Sequence, residues 1–466
     1  MIKKIINKKE IIILSLMVLV FILYFSFYGI SRHQAFLSEY YDMGIMDQTV
    51  YNTSKGRILQ MTDPAGFQSI NRLVIHGDVI LALLAPLYWI YSGPETLIIL
   101  QVLIVALGSI FVYLLTKEIL GSNKIGLLLA FLYLMYPPLQ WSVIFDFHAV
   151  TLSTTFLLAL FYFWKKEKYL FSAIFFLLTI FSKEQVAVTI TLMAIYFILS
   201  KRGDRRFNFA VFGLSIFWLL AVFFWLIPYF RQGQHFALVR YKYIGASLSS
   251  IMIIIQKLFS TNSLDYFWLI LSPLSLLPIF SPVILLALPD LVINLLSSNT
   301  NMQSVIYHYT AVITPILFLS LIYSLQFIQE KKKMAIKYLL IILLMATFFT
   351  SWKYSPLPYS KWADMRPFQN RLAETNDIEL WTRILSDENI SVAASGSLAP
   401  HFSRRKTLIR FSSNYIKGDY VVLLRNKVLD DWYDKKGSID AYNLLKKDPN
   451  FKLVYGRLNL EIYKKI

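Results

Sequence analysis

What most limits the fold of this chain is its succession of long apolar runs. The first, residues 11–30 (IIILSLMVLVFILYFSFYGI), matches the roughly 20 residues a helix needs to cross a bilayer. Others lie near 97–116, 125–142, 149–164, 168–182, 185–200, 207–227, 266–296, 305–325 and 337–350. Inside hydrocarbon each backbone N–H and C=O needs a partner within its own structure, so such runs predict helices. A hydrophobic fraction of 56% and a mean hydropathy of +0.54 agree with an integral, multi-pass membrane protein.

Orientation follows from Lys and Arg. Lys3, Lys4, Lys8, Lys9 and the loops Lys117–Lys124, Lys165–Lys168, Lys201–Arg206 and Lys331–Lys337 cluster positive charge, which assigns them and the N-terminus to the cytoplasmic side of a plasma membrane. The alternation works only if residues 79–92 do not cross, so they are read as a helix lying at the outer interface and broken by Pro86. Taking 266–296 as two short spans gives about eleven spans within a membrane domain of residues 1–350 (with 31–96 as its first outer loop), and an extracytoplasmic C-terminus. The first run resembles a signal peptide, but SRHQAF after it offers no small-residue cleavage site, so it is read as an anchor.

This topology gathers titratable groups on one face. His33, His76, His148, His235 and His401 fall in or beside the outer segments 31–75, 145–148, 183–185, 228–265 and the tail, and His308 falls at the outer end of a span. Residues 168–200 are too long for one span and are interrupted by Ser182-Lys183-Glu184-Gln185. A hairpin with arms of roughly 15 residues would hold that tip below the membrane surface. The 125–164 hairpin, bent at Tyr136-Pro137-Pro138, would hold Phe145-Asp146-Phe147-His148 in the same way. Ionisable groups at such depth point to function, although Lys183–Glu184 also reads as a self-neutralising structural pair.

Apolar runs stop near 350. Strands are expected at 390–394, 420–424, 451–455 and 460–463, with helices at 371–386 and 438–447, which predicts a small soluble α/β domain over 351–466. That tail holds 20 Lys+Arg against 13 Asp+Glu, a net of +7, favouring membrane lipids with anionic headgroups. No nucleic-acid motif, nucleotide-binding loop or internal repeat is present, and the absence of cysteine excludes disulfides and thiolate chemistry. Nothing bears on oligomeric state.

The ordered motifs are Tyr40-Tyr41-Asp42-Met43-Gly44-Ile45-Met46-Asp47-Gln48-Thr49, Val74-Ile75-His76-Gly77-Asp78, Phe145-Asp146-Phe147-His148, Lys183-Glu184, and Asn294-Leu295-Leu296-Ser297 followed by Tyr307-His308-Tyr309. With Ser391-Val392-Ala393-Ala394 and Pro400-His401 in the tail, the set resembles the membrane-protein family called domain of unknown function 2079, from about residue 20 to the end. The chain departs from that pattern at Gln185, where an acidic residue would follow Lys-Glu. The resemblance implies a likeness to the GT-C glycosyltransferases. These are polytopic enzymes with an essential acid in a long first outer loop, interfacial helices after it, and often an outer C-terminal domain; they usually take a sugar from a polyprenyl-phosphate carrier.

For such a transfer an acceptor hydroxyl needs a base and the departing phosphate needs cations. Asp42 matches the acidic position of the first loop and is the expected base; it also reads as an N-cap for a helix over 43–53. Asp47 and Gln48 would share that helix, with Asp47 about 140° from Asp42, so both acids reach one site only through unwound backbone. His76, Asp146 and His148 are candidates to orient the acceptor, hold the phosphate, or complete a divalent-metal site with Asp42, but the spacing identifies no metal. Asp146 and His148 read equally as a capped turn. Lys183, Arg231, Arg240 and Lys242 are the cation candidates, and Glu184 and His308 border the same region. Three readings stay open: a glycosyltransferase using a lipid-linked donor, a transporter or flippase of lipid-linked saccharides, and a non-catalytic binding protein for them.

Overall fold

The computed structural model describes residues 8–245, 247–332, 334–369 and 372–466; Lys3 and Lys4 lie outside these. Helix α1 (Lys8–Gln34) leads into a first loop carrying α2 (Ile45–Ser54) and the antiparallel strands β1 (Gln60–Thr62) and β2 (Ser69–Asn71). After them comes α3 (Ile80–Leu84), which tightens into 3-10 turns over Ala85–Trp89 at Pro86. Leu83, Trp89, Ile90 and Tyr91 are exposed there.

The helical part continues through α4 (Pro94–Leu120), α5 (Asn123–Leu134), α6 (Pro137–Ile144), α7 (Ala149–Lys165), α8 (Tyr169–Ile180), α9 (Val186–Leu199) and α10 (Arg205–Ala221), whose axis runs on to Arg231. Gly121, with φ of +67°, closes α4, and Ser122 caps α5 by accepting from the Ile125 N–H. Gly108 permits tight packing in this bundle, since a Cβ there would collide with Tyr133 and Thr155.

Among the described residues, α1, α4, Arg205–Arg231, Ile313–Lys331 and Ala335–Tyr354 are long and apolar enough to cross a membrane. The pair α5–α6, bent by 49° at Tyr136-Pro137, would make a sixth. The expected count of about eleven also includes the shorter apolar helices. Of these, α8 and α9 have 12 and 14 residues, and the link between them buries Ser182 and Glu184. Residues 266–296 differ from the expected pair of spans. A helix over Thr261–Leu271 breaks into 3-10 turns before a second helix at Leu288–Leu296, because Pro273, Pro278 and Pro282 each remove a backbone donor.

The tail forms a five-stranded sheet from β3 (Val392–Ala394), β4 (Leu408–Arg410), β5 (Tyr420–Leu424), β6 (Phe451–Arg457) and β7 (Leu460–Lys465), ordered β4-β3-β5-β7-β6. Strand β3 runs parallel to β4 and β5, while β7 is antiparallel to both β5 and β6. Alternation along β5 divides two cores. Val421 and Leu423 pack with Ala441, Tyr442 and Leu445 of the helix Lys435–Leu445, as expected of a sheet flanked by a helix. Val422 and Leu424 pack with Phe36, Tyr40, Ile45 and Met61, so the first loop covers the other face.

Candidate functional site

A cavity of about 490 Å³ lies where the first loop, the tips of the short helices and the tail converge. Asp42 lines it from a π-helical turn, Tyr40–Gly44, that follows extended Glu39 and runs into α2. Glu39 holds the N-cap position, so Asp42 is not the cap of this helix.

Asp42 Oδ1 lies 3.2 Å from His148 Nε2. His148 is fixed from below: its backbone N–H donates to Gln101 Oε1 at 3.0 Å, and its Nδ1 lies 2.8 Å from the Asp146 carbonyl oxygen. A carbonyl only accepts, so Nδ1 carries a hydrogen and Nε2 faces Asp42. The His308 ring stacks on His148 at 3.7 Å. Asp146 itself stands outside the cavity, where its carboxylate receives Arg32 at the end of α1 and the Glu39 N–H at 2.8 Å. It anchors the backbone that presents Asp42.

Lys183, Arg231 and Arg240 also line the cavity. Arg231 and Arg240 flank the Phe236 ring at 5.9 and 5.5 Å, and neither they nor Lys183 forms an ion pair with a described carboxylate. Lys242, expected beside them, follows the 3-10 turn Phe236–Tyr241, is exposed and lies outside the cavity lining. Arg72 and Asp78 were not singled out from the sequence, yet both line the cavity as a buried pair, Nη2 to Oδ2 at 2.7 Å. Asp78 stands in the Val74–Asp78 motif, but nothing in sequence pairs it with Arg72.

Glu184 is a hub. Its Oε1 lies 2.8 Å from His76 Nδ1 and 3.0 Å from His235 Nε2, and its Oε2 accepts the Gly77 N–H at 2.9 Å. The approach is tight at Gly77, where a Cβ would stand 3.0 Å from the Val222 side chain and push it aside. Burial lowers the His76 pKa to about 4, against the opposing pull of Glu184. These three side chains are the one group among the described residues whose ligand atoms, all within 4.8 Å, suit a metal ion; the expected combination of Asp42, His76, Asp146 and His148 does not assemble. His235 Nδ1 accepts the Ala237 N–H at 3.0 Å, which places its hydrogen on Nε2, toward Glu184. As built, the group is a hydrogen-bonded clamp joining the first loop to the segment after α10, and a cation would need the other His235 tautomer.

Asp47 and Gln48, expected among the catalytic groups, lie on the far side of α2 from the cavity, as the helical rotation from Asp42 demands. Asp47 is fully buried; Tyr88 donates to Oδ1, and Ser403 donates to Oδ2 at 2.6 Å. Burial pushes its pKa up to about 6, with those two hydrogen bonds opposing. Gln48 donates to Thr62 Oγ1 at 2.9 Å and to the Arg405 carbonyl at 3.2 Å. Both residues join the first loop to the tail.

A family model described as Predicted membrane protein (DUF2079) matches residues 32–455. No curated protein matches the chain by sequence. The fold is similar to that of ArnT from Cupriavidus metallidurans bound to undecaprenyl phosphate, with a TM-score of 0.60 over 99% of each chain at 9% identity. It also matches the archaeal oligosaccharyltransferase AglB from Archaeoglobus fulgidus, in complex with an inhibitory peptide and a dolichol-phosphate. That match has a TM-score of 0.43 and 13% identity over 98% of this chain and 74% of that one. At 9% identity the likeness to ArnT is one of fold.

Proposed function

The chain belongs to the DUF2079 family of predicted membrane proteins, and from that premise we propose that it is a GT-C-type glycosyltransferase. On this reading it moves a sugar from a polyprenyl-phosphate carrier to a cell-envelope acceptor on the outer face of the membrane. The observation that carries the proposal is the make-up of the cavity lining: Asp42 paired with His148, together with the cations Lys183, Arg231 and Arg240, which have no ion-pair partner among the described residues.

The acceptor hydroxyl attacks the anomeric carbon, the bond to the carrier phosphate breaks, and the hydroxyl proton passes to Asp42. His148 supports that role. Its Nδ1 hydrogen is committed to a carbonyl, so a proton taken by Asp42 is shared with Nε2 of the neighbouring ring. The bonding electron pair leaves with the carrier phosphate, which thereby gains one negative charge, and the three cations stabilise it. No step calls on a metal.

The test uses membranes holding matched amounts of wild type and Asp42→Asn, supplied with radiolabelled polyprenyl-phosphate sugars. Label should leave the carrier with the wild type and fall about 10²–10⁴-fold with the variant. Full transfer by a normally folded Asp42→Asn protein would sink the mechanism.

A further inference from the structure

A second cavity, of about 290 Å³, opens between α2, the segment after Trp89 and the tail, apart from the site above. Three of its lining residues, Lys55, Arg404 and Arg405, are cations, and none is a carboxylate. Arg405 is only 3% exposed. Its guanidinium donates to the carbonyls of Phe402, Ile390 and Leu385, the latter two at 2.7 and 2.8 Å, so it is hydrogen-bonded but meets no counter-ion. A buried charge without an ion-pair partner is costly, and an anion brought alongside relieves that cost.

The surroundings compensate the charge only in part: Asp387 acts on Arg405 through space and opposes the effect of burial, but forms no ion pair with it. Arg404 donates to the Ser92 carbonyl at 2.8 Å and Lys55 sits 5.6 Å from the Tyr51 ring centre, so neither has a described acidic partner. Glu388, which accepts from Tyr51, is already paired with Arg57 at 2.9 Å. Two polar atoms on lining residues also lack partners: Ser92 Oγ and His401 Nε2 are shielded from solvent and unsatisfied. His401 is held in place by stacking on His33 at 4.1 Å and by Phe36 at 4.4 Å. Burial and the neighbouring Arg404 lower the Arg405 pKa to about 10, as expected for cations crowded together.

We infer that this cavity binds a phosphate-class anion, either on the headgroup of an anionic lipid or as free phosphate. The exposed Trp89, Ile90 and Tyr91 beside Ser92 form an apolar edge of the kind that rests at a membrane interface, within reach of headgroups. The inference is independent of the transfer reaction.

Full-length protein in a neutral detergent separates the sources. Native mass spectrometry compares retention of phosphatidylglycerol with phosphatidylcholine, and calorimetry titrates inorganic phosphate, for wild type, Arg404→Gln and Arg404→Gln/Lys55→Gln. Wild type should hold one anion, and loss of Arg404 should weaken it about tenfold or more, since hydrogen bonds to charged groups are worth about 1.5–3 kcal/mol. Preference for phosphatidylglycerol identifies the headgroup; phosphate binding without lipid preference identifies free phosphate. Binding of neither probe, or equal binding by wild type and both variants, overturns the inference. Both substituted side chains are exposed, and thermal unfolding verifies that the variants fold.

Discussion

Asp42 and Asp47 stand five residues apart on one continuous helical stretch, yet their surroundings share nothing. Asp42 keeps 26% of its side chain exposed in a cavity that faces three cations, with His148 alongside. Asp47 is buried between Tyr88 and Ser403, where both oxygens are satisfied by hydroxyls. The contrast teaches that an acid in the first loop acquires its role from what the rest of the chain packs against it. An acid with an open side toward substrate can do chemistry; one enclosed by donors holds parts together.

The sharpest way to break the comparison is to remove each acid in turn. Asp42→Asn should lose transfer by the factor given above while unfolding at the wild-type temperature. Asp47→Ala should do the reverse. It leaves the buried Tyr88 hydroxyl without its acceptor, while Ser403 keeps the Pro400 carbonyl at 2.7 Å. The loss costs about 1–3 kcal/mol of stability, read by denaturant or thermal unfolding in detergent, with activity following the folded fraction. If the two variants behave alike, the division fails.

A smaller effect comes from pH. The folded pKa of Asp47, about 6, lies above its ordinary value of 3.8. The native state therefore binds the proton more tightly, and this group's contribution to stability is present below pH about 4 and lost as pH rises to about 6. The change is at most about 3 kcal/mol. Asp47→Asn should flatten that part of a stability–pH curve; an unchanged slope would show that another group causes it. Smallest are the single cation changes: Arg240→Gln or Arg231→Gln should each raise the KM for a lipid-phosphate donor about tenfold and leave unfolding unchanged.

How far the sequence could be read differs with range. Crowding of the histidines was legible, but their pairing was not. His148 stacks on His308, His33 stacks on His401, and His76 and His235 share Glu184, so the single face implied by topology contains three pairings, and His76, His148 and His308 from two of them line one cavity. Strand β4 was not anticipated, because three residues bordered by Arg404, Arg405 and Lys406 show no alternation. The first-loop strands β1 and β2 are equally short. A boundary near residue 351 follows from the loss of apolar runs, yet one face of the tail sheet is covered by Phe36, Tyr40, Ile45 and Met61.

What the sequence by itself determined is the solvent and the secondary structure: apolar run lengths are read against the thickness of a bilayer, and prolines mark where helices bend. It also supplied the motifs that name the family and the acids and cations from which a site could be made. Only the tertiary structure decided which of them face a common cavity. Asp42, His148, Lys183 and Arg240 meet there, Asp47 and Gln48 become a joint, and Arg404 and Arg405 border a second cavity. The physical reason is that local periodicity fixes which side of a helix a residue occupies, whereas what lies against that side comes from chain more than 300 residues away, as Asp47 and Ser403 demonstrate.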